Sequence, residues 1–218
     1  MTVRLSTIAH SRGLLHPNQC SSLLGLSDFD TCLSLTHEIR TLQRPRLRVS
    51  TLFFAIKAGF DNVNASTLRV SLLAKRSPSY MVDWVSYFLS ERTCTRVLQG
   101  SPNLPSPVSV GTPQGSPISP LLFLLYITPL HSAIPRAIML SYVNDFSITV
   151  ASDPHRGNIN CLQKIFGNTF QRGKDLGISF SVLKTELIHW RTPSQRTSQV
   201  TAPIELDRDL FHPSQVVG

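Results

Sequence analysis

Two stretches of this 218-residue sequence hold the residue types best suited to meeting phosphate. Arg40, Arg44, Arg46 and Arg48 fall within nine positions. From Arg92 to Asn144 there is no Asp or Glu, and that acid-free stretch surrounds the loop Gly111-Thr-Pro-Gln-Gly-Ser-Pro-Ile-Ser-Pro120. A surface facing a phosphate backbone has to exclude carboxylates and offer cations or exposed N–H groups. Gly115 in the loop would let the backbone approach a ligand closely. Each feature has a structural alternative: a solvated loop for the arginines, a buried apolar segment for the acid-free stretch (as Leu121–Ile127 is in part), and an ordinary turn for Gly115.

Elements that could position these residues follow from the pattern. Residues 1–27 carry no acid and no clear periodicity, and read as an irregular lead-in. Ser27 or Asp28 caps a helix running to about Leu42, with Phe29, Cys32, Leu33, Leu35 and Ile39 toward the core. Val49–Ile56 is a buried strand, and Gly59, Asp61 and Asn62 mark a turn after it. Leu68–Lys75 and Tyr80–Leu89 are helices separated by Pro78, Thr93–Leu98 is a strand, and residues 100–107 form a proline-rich rigid loop. A helix over roughly 118–132 follows, with Pro117 and Pro120 in its first turn. Strands at about 137–142 and 146–150 flank Tyr142-Val-Asn-Asp145. A helix over about 157–175 and a strand near 186–190 complete the pattern, and residues 191–218 are a polar C-terminal tail. This order predicts an α+β fold with an antiparallel sheet.

Composition narrows the function classes. With 21 Lys and Arg against 13 Asp and Glu the net charge is +8, and 16 of the cations are arginine. That balance favours polyanionic partners, nucleic acid first. Cys20, Cys32, Cys94 and Cys161 form no CxxC pair, which argues against a zinc knuckle or a dense disulfide framework and for reduced thiols. Residues 1–19 lack a signal-peptide core, and Leu121–Ile127 is too short to span a bilayer. The expected setting is intracellular, nuclear or cytoplasmic, with no membrane partner. There the Asn64-Ala-Ser66 sequon has no use.

Four segments, in order and spacing, resemble the reverse transcriptase domain of non-long-terminal-repeat retrotransposons. They are Phe53-Phe-Ala-Ile-Lys-Ala-Gly-Phe-Asp-Asn-Val63, Gly111–Tyr126, Tyr142-Val-Asn-Asp145 and Gly177-Ile-Ser-Phe-Ser-Val-Leu-Lys-Thr-Glu186. The similarity covers about Leu15 to Trp190. It implies a right-hand polymerase palm, an antiparallel sheet with helices on one face, plus partial fingers. Fingers would span about 1–50 and 62–110, and palm about 51–61 and 111–190. The chain would stop before the family's primer grip and thumb.

The resemblance also implies a chemistry: a primer 3′-oxygen attacks the α-phosphate of a deoxynucleotide on an RNA or DNA template–primer, with two Mg²⁺ ions stabilising the attacking and leaving oxygens. The family holds those ions with three aspartates. Here the first falls at Ala55 and the second at Asn144, leaving Asp145 as the metal ligand. Phe60 matches the aromatic gate that excludes a 2′-hydroxyl, and Gln114 and Gly115 match the loop holding nucleotide and template. Tyr142 matches the aromatic beside the primer end, and Lys184 a lysine near the departing pyrophosphate. For Phe60 the alternative is a core aromatic, and for Lys184 a solvated surface lysine. A methyl group and a carboxamide in place of two carboxylates leave most of the +4 metal charge unbalanced, so impaired catalysis is the expectation. Asp61, six residues past Ala55 and beyond the strand, is not expected to substitute.

Overall fold

The run Arg48-Val-Ser-Thr-Leu-Phe-Phe-Ala-Ile-Lys57 is dense in β-branched and aromatic residues and is apolar at consecutive rather than alternate positions, as a central strand buried on both faces requires. In the computed structural model, which describes residues 2–21, 27–44, 47–98, 101–131, 137–153, 155–190, 203–206, 209–211 and 213–214, the whole run forms one strand, β1 (Arg48–Lys57), with seven of its ten residues buried. The residues group into two compact units: Met1–Leu15 with Ala58–Thr128, and His16–Lys57 with Pro129–Gly218.

The second unit is built on β1. On one side β1 pairs antiparallel with β7 (Asp145–Ser152), and β7 pairs with β6 (Ala137–Tyr142) through a tight hairpin. On the other side β1 pairs antiparallel with β8 (Ser179–Trp190). A short β11 (Pro213–Ser214) adds in parallel to β8, giving the order β11-β8-β1-β7-β6. Helix α6 (His155–Asp175) lies on the face that carries Ser50, Leu52 and Phe54. Phe54 stacks on Phe146 at 5.3 Å and meets Phe166 and Phe180 edge-on at 5.2 and 5.5 Å. The buried Asn158 of α6 ties helix to sheet by donating to the Arg48 carbonyl at 2.7 Å and the Ser50 hydroxyl at 2.9 Å. The sheet is thus antiparallel but for β11, and the fold is α+β as expected.

The first unit is mainly helical. It holds α1 (Thr2–Ser11), a 3₁₀ turn at Phe60–Asn62, α3 (Ala65–Ala74), α4 (Ser79–Leu89) and α5 (Ser119–Ile127). All but Pro120 of α5 is buried, as a helix apolar on every side must be. Helix α3 ends in a Schellman motif: Arg76 takes φ +53° while Ser77 N–H donates to Leu72 O and Arg76 N–H to Leu73 O. Lys75, at that end, reaches the carbonyl of Leu14, and burial lowers its ammonium pKa.

Several expectations change. The N-terminal lead-in is not irregular, since Thr2–Ser11 is helical with Leu5 and Ala9 buried. Helix α2 (Asp28–Gln43) starts at the expected cap, where Ser27 and Asp30 form a reciprocal capping box. Its buried face differs from the expected one: Phe29 is 66% and Leu33 53% exposed, Cys32 is exposed, and only Ile39 is buried. An apolar stripe states which residues share a face, not whether anything packs on it. The strand at 93–98 is two short strands, β2 (Arg92–Cys94) and β3 (Val97–Leu98). The rigid loop contains β4 (Ser101–Pro102) and β5 (Ser106–Val108), which pair with them as nested hairpins. In two-stranded ladders Pro102 and Pro107 can face outward without losing a ladder bond. Pro129 ends α5 early, turning Thr128–Leu130 into a 3₁₀ segment. The last strand starts at Ser179, seven residues before the expected start. The polar tail contains β9 (Ile204–Leu206), with Ile204 and Leu206 buried, and β10 (Asp209–Phe211), paired with each other, as well as β11. Apart from these strands and Pro203, its residues lie outside the described set. All four cysteines are free thiols, with Cys32 and Cys94 exposed.

Candidate nucleotidyl-transfer site

Strand register decides which sequence-matched residues meet. Ala55 of β1 stands directly opposite Asp145 of β7, and Asp145 is also the partner of Tyr142 across the β6/β7 hairpin. Directly paired residues project from the same face, so Tyr142, Asp145 and Ala55 form a row across three strands. The row continues to Ser181 of β8, the partner of Ala55 on its other side. Ala55 is 2% exposed, whereas Asp145 is exposed.

The hairpin turn has two residues, Val143 and Asn144. Val143 sits at φ +52°, a left-handed conformation that is strained for a β-branched side chain. Two anchors hold it. The Val143 N–H donates to Ser21 Oγ at 2.9 Å, and the Asn144 carbonyl accepts from Ile56 N–H at 2.9 Å. The Asn144 side-chain NH₂ also donates to the Ile56 carbonyl at 3.4 Å, which points its amide at backbone. Ser21 left no sequence signal, because its partner is 122 residues away.

Lys184 lies in an irregularity of β8. Phe53 pairs with Glu186 and Ala55 with Ser181, so Val182–Thr185 stand opposite the single residue Phe54 and bulge from the ladder. Leu183 in this bulge is 98% exposed and Lys184 is exposed, three residues from the partner of Ala55.

Phe60, Gln114 and Gly115 belong to the first unit, where two distant segments are zipped together. Gly111 N–H donates to Val63 O and Thr112 N–H to Phe60 O, at 2.9 and 2.8 Å. Gly111 adopts φ +86°, and a Cβ there would lie 3.0 Å from the Asp61 carbonyl oxygen, so only glycine fits. The Phe60 ring packs on Phe123 at 4.8 Å and is half-buried. Gln114 donates from its amide to the Asp61 carboxylate at 2.9 Å, which gives Asp61 a partner inside this unit. Gly115, φ +87°, is exposed with open space beside its Cα. Arg92 braces the loop by donating to the carbonyls of Gly111, Val110 and Leu89 at 2.7, 3.3 and 3.1 Å. Arg92 carries no sequence signal, since a guanidinium spent on backbone carbonyls has no acidic partner to reveal it.

Of the three positions matched to the family's aspartates, Asp145 and Ala55 in the row present a carboxylate and a methyl group, and Asn144 in the adjoining turn presents a carboxamide engaged with backbone. Among the described residues no group of three or more His, Cys, Asp or Glu is placed to hold a metal ion. No helix among them is long and apolar enough to cross a membrane.

Residues 3–202 match the family described as Reverse transcriptase (RNA-dependent DNA polymerase). The chain is 26% identical over 220 residues to a probable RNA-directed DNA polymerase from transposon BS of Drosophila melanogaster, which covers 97% of this chain and 24% of that protein. Among solved structures it resembles telomerase of Candida tropicalis in complex with a fragment of telomeric RNA, with TM-score 0.65, 14% identity, and coverage of 96% of this chain and 36% of that one. It also resembles the apo telomerase of the same organism, with TM-score 0.63 and 12% identity. The chain thus spans about a quarter of its curated relative. The fold is that of a polymerase palm, and the chain belongs to the reverse transcriptase family.

Proposed function

We propose that this domain binds an RNA or DNA template–primer and is impaired in RNA-directed DNA polymerisation. The observation that carries the reading is the register of Ala55 opposite Asp145, with the Asn144 amide turned to the Ile56 carbonyl. Family chemistry places Mg²⁺ at this row. Mg²⁺ takes oxygen ligands, carboxylates above all, and one carboxylate with one neutral amide does not fit a two-ion centre. In this reading Asp145 is the remaining metal ligand, Tyr142 borders the primer end and Lys184 serves the departing pyrophosphate. Phe60 gates the sugar, while Gln114 and Gly115 hold deoxynucleotide and template. The division into fingers (about 1–50 and 62–110) and palm (about 51–61 and 111–190) also belongs to this reading; the compact units cut instead after Leu15, Lys57 and Thr128. The +8 charge supports a polyanionic partner.

A primer-extension assay with Mg²⁺ or Mn²⁺ tests the proposal. The native chain is expected to retain salt-sensitive template–primer binding without extension above background, and Ala55→Asp with Asn144→Asp to raise extension. Robust template-dependent extension by the native chain overturns it.

A further inference from the structure

Helix α4 buries Met81, Val82, Val85 and Leu89 and carries four aromatic side chains on its other faces. Tyr80, Trp84 and Phe88 follow at i, i+4 spacing with Tyr87 beside them, so they line one side of the helix. Tyr87 is 81% exposed and Tyr80 is also exposed. The Trp84 and Phe88 rings stack 5.1 Å apart and within 11° of parallel. Together with Tyr87, Ser90 and Glu91 they line a cavity of about 390 Å³.

Two further observations say what this cavity suits. At the N-terminal end of the same stripe the guanidinium of Arg4 lies over the Tyr80 ring, 6.0 Å from its centroid. In addition, the first unit contains seven Lys and Arg but only three acids, Asp61, Asp83 and Glu91. Asp61 accepts from Gln114, whereas Asp83 and Glu91 are exposed, one on α4 and one at its end. On a basic unit, the acids therefore gather around the aromatic stripe.

We infer that the cavity of Trp84, Tyr87, Phe88 and Glu91 binds an arginine side chain presented by a basic peptide segment of a partner protein. A guanidinium is planar, stacks on ring faces and hydrogen-bonds carboxylate, so it can extend the Trp84–Phe88 stack while Glu91 meets its charge. A nucleic-acid base would find the same rings, but its phosphates would face Asp83 and Glu91. The proposal uses none of the residues of the Ala55–Asp145 row, so its failure leaves the polymerase reading untouched.

The test is a fluorescence titration of the full chain at 0.15 M salt. Trp84 reports, and Trp190, whose indole N–H is bonded to Thr51, serves as background. The probes are tetra-arginine amide, its uncharged isostere tetra-citrulline amide, and a short oligothymidylate. Tetra-arginine is expected to give a saturable change, and Tyr87→Ala and Glu91→Gln, both at exposed positions, each to weaken it about three- to tenfold. Equal binding of the citrulline peptide, native-like binding by both variants, or saturation by the oligothymidylate alone overturns the proposal.

Discussion

Placing a carboxylate at position 55, the substitution that the proposed function calls for, has a cost that the register fixes in advance. Ala55 and Asp145 are direct cross-strand partners, so Ala55→Asp brings two carboxylates to about 5 Å. At that distance an effective dielectric near 20 gives about 3 kcal/mol of repulsion, and the exposure of Asp145 reduces it toward about 1 kcal/mol. Ala55→Asp is therefore expected to lower the metal-free stability by about 1–3 kcal/mol. Adding Asn144→Asp supplies a third carboxylate and completes a set able to take a divalent ion. If that set binds Mg²⁺ with Kd near 1 mM, 10 mM Mg²⁺ returns about 1.4 kcal/mol by linkage, because only the folded chain offers the site. For a chain of this length that shift is about 3–6 °C in Tm. The assay is thermal denaturation of the native and doubly substituted chains with 10 mM Mg²⁺ or a monovalent salt of matched ionic strength. A doubly substituted chain that loses no stability without Mg²⁺ and responds to Mg²⁺ no more than the native chain would refute the placement of these three positions at one metal locus.

Other perturbations probe the scaffold. His131 is buried, stacked on His16 at 4.9 Å and bonded to Ser141 at 2.8 Å; burial first, and the charge of His16 second, hold its pKa at about 3. The unfolded value is about 6.5, so the folded state binds fewer protons, and stability present above pH 6.5 is lost as pH falls toward 3. That loss amounts to about 2 kcal/mol at pH 5, read from urea midpoints, and is smaller in His131→Gln. Gly173→Ala puts a Cβ 2.6 Å from a ring carbon of Phe180, which is held among Phe54, Phe166 and Phe170. Overpacking outweighs the gain in helix propensity, for a net loss of about 1–2 kcal/mol, whereas Gly167→Ala on the same helix meets nothing within 4 Å and stabilises by about 0.5–1 kcal/mol. Val143→Gly removes the left-handed strain at the hairpin and is expected to raise stability by about 1 kcal/mol in the same urea assay.

The sequence showed most of the fold where burial is two-sided or periodicity long. β1, β6, β7 and α6 fall within a few residues of their expected positions because their apolar pattern has one reading. The failures share a cause. Phe29 and Leu33 sit on a proper helical stripe, yet whether a stripe is covered depends on tertiary contacts that no local pattern encodes. Ser179–Thr185 has no strand signal in the sequence because four residues of that span bulge out against Phe54, which breaks the period-2 pattern. Thr2–Ser11 has no acid in its first turn and a weak apolar stripe, so no start signal marked it.

The row at the palm was legible for a different reason: what holds it is backbone. The position of Ala55 follows from β1–β7 register, and that of Asn144 from two bonds made by main-chain atoms, Ile56 N–H to the Asn144 carbonyl and Val143 N–H to Ser21. None of these needs a carboxylate at 55 or 144. Clustered carboxylates repel one another in the absence of metal, so replacing two of them removes repulsion while leaving every anchoring bond in place. Scaffold and charge are therefore separable here. Selection acting on stability alone would keep the register and the turn and tolerate, or favour, Ala55 and Asn144. The same separation explains why a motif match predicts where these residues lie: position is fixed by strand register and turn bonds, and in the proposed reading reactivity is set by the side chains at 55 and 144.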